Sequence, residues 1–370
     1  MQATTVKVPF IGGMLQRSNY AYANARVRVR RGKLLPRDTY QKLLKMDIPE
    51  ITRFIESTEY GREINELAVK FSGINLLENA LNVNEERNYA QVKEFAKGEV
   101  GSLVRGFLDR WTFWNLKTVL RGRYWGASPE DIVRELLIEN RDDHEFYQAL
   151  IHAEGTGLKP VVEALAVMPR TASVARTLRD AETKAKDDSF LLQAYEDALD
   201  RAYFENLLET IPPNNRENQL FLRFVKHEID IRNLQLLLRL KSRPDSPSDV
   251  GALLLPGGYE LKDAALRRLG EAANLDDLLE RLKEFKIYDK IKDAVAQSQP
   301  AKSLTPIMLA LTRSLADFAQ TFAVLNPLSV LPIVNYLMRK NLEVRNLRAI
   351  ARGKQGGLTE QEIENLLVVI

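Results

Sequence analysis

The chain has 370 residues, too many for one small core; at roughly 150 residues per domain it divides into two or three cooperating units. Hydrophobic residues at 45% and charged residues at 28% exclude wholesale disorder, and a net charge of +3 lacks the basic excess of a duplex-binding protein. There is no cysteine, which excludes disulfides, thiol catalysis and cysteine-ligated metals, and His144, His152 and His227 offer no i, i+4 pair for a helical metal site.

In chain order, Val8 to Leu15 is apolar but broken by Gly12-Gly13, a poor core for a signal peptide. A pattern then begins: Asn24 is followed six residues later by Arg30, with Tyr22, Ala25 and Val29 as apolar neighbours. Arg26-Val-Arg-Val-Arg30 alternates like a strand, but its sister copies are helical, so a helix is expected here. Ile51 to Tyr60 forms the next element. Trp111, Trp114 and Trp125, with Phe107 and Phe113, gather around the second copy, Asn115 and Arg121, whose neighbours are Phe113, Leu116 and Leu120. Trp111 and Trp114 stand three apart on one helical face, which suits packing or a partner-facing patch. Ser128-Pro129-Glu130-Asp131 reads as a capped helix start, followed by helical spacing at Ile132, Val133, Leu136 and Leu137.

Asn140 to Glu145 reads as another capped start, and Gly155 to Pro160 as a break before Val161 to Arg170. The third copy, Asn233 and Arg239 with Ile231, Leu234 and Leu238, leads to Ser246-Pro247-Ser248-Asp249, a second capped start. Leu279 to Tyr288 matches Ile51 to Tyr60 in length. Phe318 to Met338 is too interrupted, by Asn326-Pro327 and Pro332 among others, to span a membrane, and reads as helix, turn, helix. The fourth copy, Asn346 and Arg352 with Val344, Leu347 and Ala351, precedes the capping box Thr359 to Glu362.

On a helical wheel the shared apolar positions form a stripe roughly 60° wide, with Asn on one flank and Arg on the other. The expected fold is all-α: helical units at 1–100, 101–215 and 216–325, completed by a helix pair at 326–370 that closes on the first unit. The flanking residues Asn24, Arg30, Asn115, Arg121, Asn233, Arg239, Asn346 and Arg352 are expected to hold adjacent units in register.

A search for chemistry gives no phosphate loop at Gly155 to Pro160 or Arg352 to Gly357, no Gly-x-Ser-x-Gly and no His-Glu-x-x-His. No catalytic, cofactor or metal site is expected. Arg26, Arg28, Arg30, Arg31 and Lys33 with the tryptophans leave open a helical-repeat scaffold that binds another protein or single-stranded nucleic acid.

Tyr20 to Arg28, Trp114 to Arg123 and Glu343 to Lys354 resemble the signatures of the C subunit of archaeal-type (A-type) and V-type ATP synthases, known as the d subunit in eukaryotic vacuolar pumps. The resemblance runs from about residue 15 to the C-terminus. It implies a pseudo-threefold funnel with a central cavity, seated on the membrane proteolipid ring and receiving the central stalk made of the D and F subunits. It also implies a non-catalytic rotor part on the cytoplasmic side of the membrane, without nucleic-acid or small-molecule partners.

Overall fold

A computed structural model describes residues 10–369, except 139–140, 169–170, 184, 186–189, 244–249 and 302. Val8, Asn140, Arg170 and the expected capped start at Ser246 lie outside the described residues. Among the described residues every regular element is helical and no strand occurs, so the fold is all-α.

The first part of the chain forms α1 (Phe10–Arg31), α2 (Arg37–Leu43), α3 (Ile48–Glu56), α4 (Gly61–Leu67) and α5 (Gly73–Phe95). Next come α6 (Gly98–Leu108), α7 (Arg110–Trp125), α8 (Pro129–Arg134), α9 (Arg141–Ile151), α10 (Lys159–Val167), α11 (Ala172–Glu182) and α12 (Leu191–Thr210). Then follow α13 (Arg216–Lys241), α14 (Asp263–Gly270), α15 (Leu275–Leu282), α16 (Lys292–Ala301) and α17 (Thr305–Leu325), and finally α18 (Leu331–Gln355) and α19 (Glu360–Glu364). The 215/216 and 325/326 boundaries fall between helices, whereas α6 runs across 100/101. Arg26 to Arg30 is helical, within α1.

The repeat is legible in the turns. After α7, Gly126 takes the left-handed conformation (φ 69°), which costs glycine little, and Ser128 accepts from the Asp131 N–H to start α8. After α18, Gly357 has φ 72° and Thr359 with Glu362 closes a capping box for α19. Both turns fold the second helix tightly onto the first. A Cβ on Gly122 would stand 2.4 Å from Ile132 Cγ1, and one on Gly353 would stand 2.6 Å from Ile363 Cγ1. Gly122→Ala and Gly353→Ala should therefore each cost about 1–3 kcal/mol by overpacking, despite alanine's better helix propensity. Urea denaturation checks this; a stabilised variant would contradict it.

The apolar stripe is buried in three copies: Phe113, Leu116 and Leu120; Ile231, Leu234 and Leu238; Val344, Leu347 and Ala351. The first copy departs from the expectation. Tyr22 and Val29 are 51% and 66% exposed, and α1 instead buries Ala23, Asn24 and Val27. Its following turn has Pro36 at the N-cap of α2 with no side-chain cap, so α1 has no second arm folded on it like those of α7 and α18. It packs against α18 and α6 through a rotated face.

Two main cores result. The larger joins α5 to α7 with α12, α13, α17 and the start of α18. The smaller joins Tyr40, Ile51, Tyr60 and Leu77 of the first part to Val344, Leu347, Ile363 and Leu367 at the C-terminal end. Helix α18 belongs to both, its first turns to one and its last turns to the other.

Candidate functional site: a charged central cavity

The repeat asparagines turn out to be local staples. Asn115 Nδ2 donates to the Leu137 carbonyl (2.6 Å) and its Oδ1 accepts from the Leu137 N–H (3.0 Å). Asn233 makes the same pair with Leu255 (2.8 and 2.8 Å), and Asn346 with Val368 (2.9 and 3.0 Å). Each partner lies 22 residues on, so each clamp joins a long helix to the segment that returns along it. Asn24 differs: its Nδ2 donates to the Ser329 carbonyl (3.0 Å) between α17 and α18, and its buried Oδ1 has no partner. All four asparagines are buried rather than placed on an exposed polar flank.

The arginines have unlike partners. Arg30 donates to Gln91 (2.8 Å) and lies over the Phe95 ring. Arg121 grips Glu196 of α12 through two bonds (2.5 and 2.9 Å). Arg352 pairs with Glu78 of α5 and with Glu135 (3.3 Å) just after α8. Arg239 lines a cavity.

That cavity, about 670 Å³, collects the other faces of the same repeat helices. Five residues before the repeat asparagine stand Arg110, Glu228 and Asn341; one before, Trp114, Arg232 and Arg345; two after, Lys117, Gln235 and Arg348. All nine line the cavity. On a helical wheel these offsets span roughly 60°, on the side that carries the repeat arginine. The equivalent positions of α1 do not reach the cavity; Arg26 and Arg30 pack on Phe95 instead. The copies on α7, α13 and α18 thus surround a shared space, while the first copy, on α1, packs against α18 and α6 without lining it. Sequence reading singled out the arginine flank but missed the stripe, because its three offsets differ in chemistry from copy to copy.

Charges in the wall are organised. Arg110 donates twice to Glu228 (3.0 and 3.1 Å) and once to the Tyr203 hydroxyl (2.8 Å), bridging α7, α12 and α13. Burial works against the Arg110 charge, but Glu228 and Tyr203 more than offset it and the guanidinium pKa is raised. Lys117 is held by Asp200 at 2.5 Å. Glu85 is buried, accepting from Tyr89 and from Asn341 (2.9 Å), and burial raises its pKa.

Of the tryptophans, Trp111 stacks on Tyr89 at 5.7 Å and Trp114 sits beneath Arg121; both line the cavity. Trp125 is 76% exposed at the end of α7, edge-on to Tyr124.

His227 is stacked on Phe318 at 4.5 Å, and burial lowers its pKa to about 4 from 6.5. The unfolded chain therefore takes up this proton first, and stability from this residue is lost as pH falls from 6.5 towards 4. His227→Phe keeps the stack and should flatten that part of the acid limb in pH-dependent melts. Among the described residues, no three His, Cys, Asp or Glu side chains converge as a metal set.

Among the described residues the chain is all-helical, and its repeated helices, held together by capped turns and backbone staples, surround a charged space. Comparison with known proteins identifies the family. A profile described as "ATP synthase (C/AC39) subunit" matches residues 23–366. The C subunit of the A-type ATP synthase from Methanosarcina acetivorans is 36% identical over 355 residues, covering 95% of this chain and 94% of that protein. The like-named protein of Methanococcoides burtonii is 34% identical, covering 95% of each chain. That of Haloferax volcanii is 34% identical, covering 95% of this chain and 98% of its own length. The chain belongs to the ATP synthase (C/AC39) subunit family, non-catalytic subunits of rotary ATP synthases.

Proposed function

We propose that this chain is the socket of a rotary A/V-type ATP synthase. It seats on the membrane proteolipid ring, receives the central stalk of the D and F subunits in its cavity, and passes torque between them during ATP synthesis or ATP-driven ion pumping. The observation that carries this reading is the convergence of equivalent positions of α7, α13 and α18 on one cavity, as a pseudo-threefold funnel requires. The units 1–100, 101–215 and 216–325, with the pair at 326–370, are the staves of that funnel. Torque transmission needs stiffness, and interior-density packing with stapled turns supplies it. Arg352, reaching both Glu78 and Glu135, is suited to hold the closing pair in register with its neighbours. No described helix is long and apolar enough to cross a membrane, which suits attachment through other subunits on the cytoplasmic side.

Co-expression with the stalk pair and a detergent-solubilised ring tests the proposal. The expected result is recovery of a complex containing all of them. Recovery of the chain alone, or salt-sensitive capture of single-stranded oligonucleotides in its place, would overturn it.

A further inference from the structure

The cavity wall carries eight cationic and five anionic side chains, and the anions are already engaged. Glu228 is taken by Arg110, Asp200 by Lys117, and Glu78 and Glu135 by Arg352, while Glu85 accepts from Tyr89 and Asn341. Among the remaining guanidiniums, three form a group. Arg345 makes no hydrogen bond or ion pair among the described residues. Arg348 donates to Asn82, but its buried Nε has no partner. Arg232 stands 3.8 Å from Glu228, whose oxygens already accept from Arg110. Arg345 and Arg348 are three apart on α18 and so share a face, and Arg232 holds on α13 the place that Arg345 holds on α18. Burial, then the charge of Arg232, then (after the opposing pull of Glu85) that of Arg348 shape the Arg345 environment, and its pKa is lowered. Like charges gathered in a concave wall oppose folding unless an anion arrives.

The remainder of the wall says what kind of anion. Met308, Leu309, Met338 and Leu342 line the same space. A free phosphate would leave that apolar surface wet, and a nucleic-acid duplex would present charge on every side. A helix with one apolar face and one acidic face matches both.

We infer that Arg232, Arg345 and Arg348 form a carboxylate-binding station that reads acidic side chains on an amphipathic helix of the inserted stalk. This rests on the socket reading above. The station selects the occupant by charge and fixes its rotation, since bidentate guanidinium–carboxylate pairs are directional.

The test compares the unchanged chain, Arg232→Gln/Arg345→Gln/Arg348→Gln, Arg345→Gln alone and the remote control Arg62→Gln for binding to the purified stalk pair at low and high salt. The triple variant should bind about 100-fold more weakly at low salt, with the gap narrowing as salt rises, and the control should be unchanged. Arg345→Gln, which loses no hydrogen bond, should melt at or above the temperature of the unchanged chain and still bind about tenfold more weakly. It keeps the test readable if the triple variant folds poorly. A folded Arg345→Gln or triple variant that binds as tightly as the unchanged chain overturns the station alone. No binding by the unchanged chain overturns the socket as well. Inorganic phosphate raising the melting temperature of the unchanged chain but not of the triple variant, with stalk binding the same in both, would assign the arginines to a free oxyanion and overturn the inference.

Discussion

Replacing Lys340 with methionine is expected to cost about 3–5 kcal/mol of stability, because it strips the cation from a buried ionic cluster and leaves its acids uncompensated. Lys340 is completely buried on α18. Its ammonium contacts Glu59, donates to Glu343 (3.1 Å) and to the Tyr60 hydroxyl (2.8 Å), and lies 4.0 Å from the Tyr60 ring centroid. Tyr60 in turn donates to Glu343 (2.7 Å), whose other oxygen accepts from the Leu35 N–H (2.5 Å). Lys340 thus ties α18 to the α3–α4 turn, and Glu343 beside it ties α18 to the loop between α1 and α2. Methionine fills much of the same volume, so the loss isolates the charge from the packing.

The companion variant is Lys340→Met/Glu343→Gln. Glutamine's one carbonyl oxygen can still accept from the Leu35 N–H, and its amide N–H can donate to the Tyr60 hydroxyl once Lys340 no longer does. One of the two stranded charges is removed, so the double variant should recover at least half of the loss. Urea midpoints for the three chains decide the matter. A double variant as unstable as the single one would mean that packing, not charge, is what Lys340 supplies.

The helical class and the repeat were readable because both are written in spacing. Asparagine, apolar stripe and capped second helix recur at fixed offsets, and the caps at Ser128 and Thr359 lie where the spacing puts them. The duty of the asparagines was not readable, since they bind backbone atoms, which carry no residue signature. A trace survives as the apolar pairs Leu136-Leu137, Leu254-Leu255 and Leu367-Val368. The cluster around Lys340 joins residues some 280 positions apart, beyond any periodicity argument. The rotated face of α1 was missed for a related reason: a shared stripe predicts burial only if each copy has a second arm to cover it. For the cavity, the arginine flank pointed towards the right face, yet only the packing of three helices turns that face into a site.

The staples yield the second large effect, and a ranking that a mere polar flank would not produce. Asn233→Ala removes the partners of both the N–H and the carbonyl of Leu255, which lie in the interior. Stranding two buried backbone groups should cost about 2–5 kcal/mol. Asn115→Ala and Asn346→Ala should match it, because their clamps on Leu137 and Val368 are alike. Asn24→Ala should cost about 1 kcal/mol, since one bond to Ser329 is lost and an orphaned amide oxygen goes with it. Asn233→Asp sharpens the test: its carboxylate can still accept from Leu255 N–H but cannot donate to the Leu255 carbonyl, and its buried charge should make it no better than alanine. Denaturant unfolding of the five variants gives the order directly. Equal losses at all four asparagines, or a tolerated aspartate, would show that the repeat keeps asparagine for a reason other than stapling its turns.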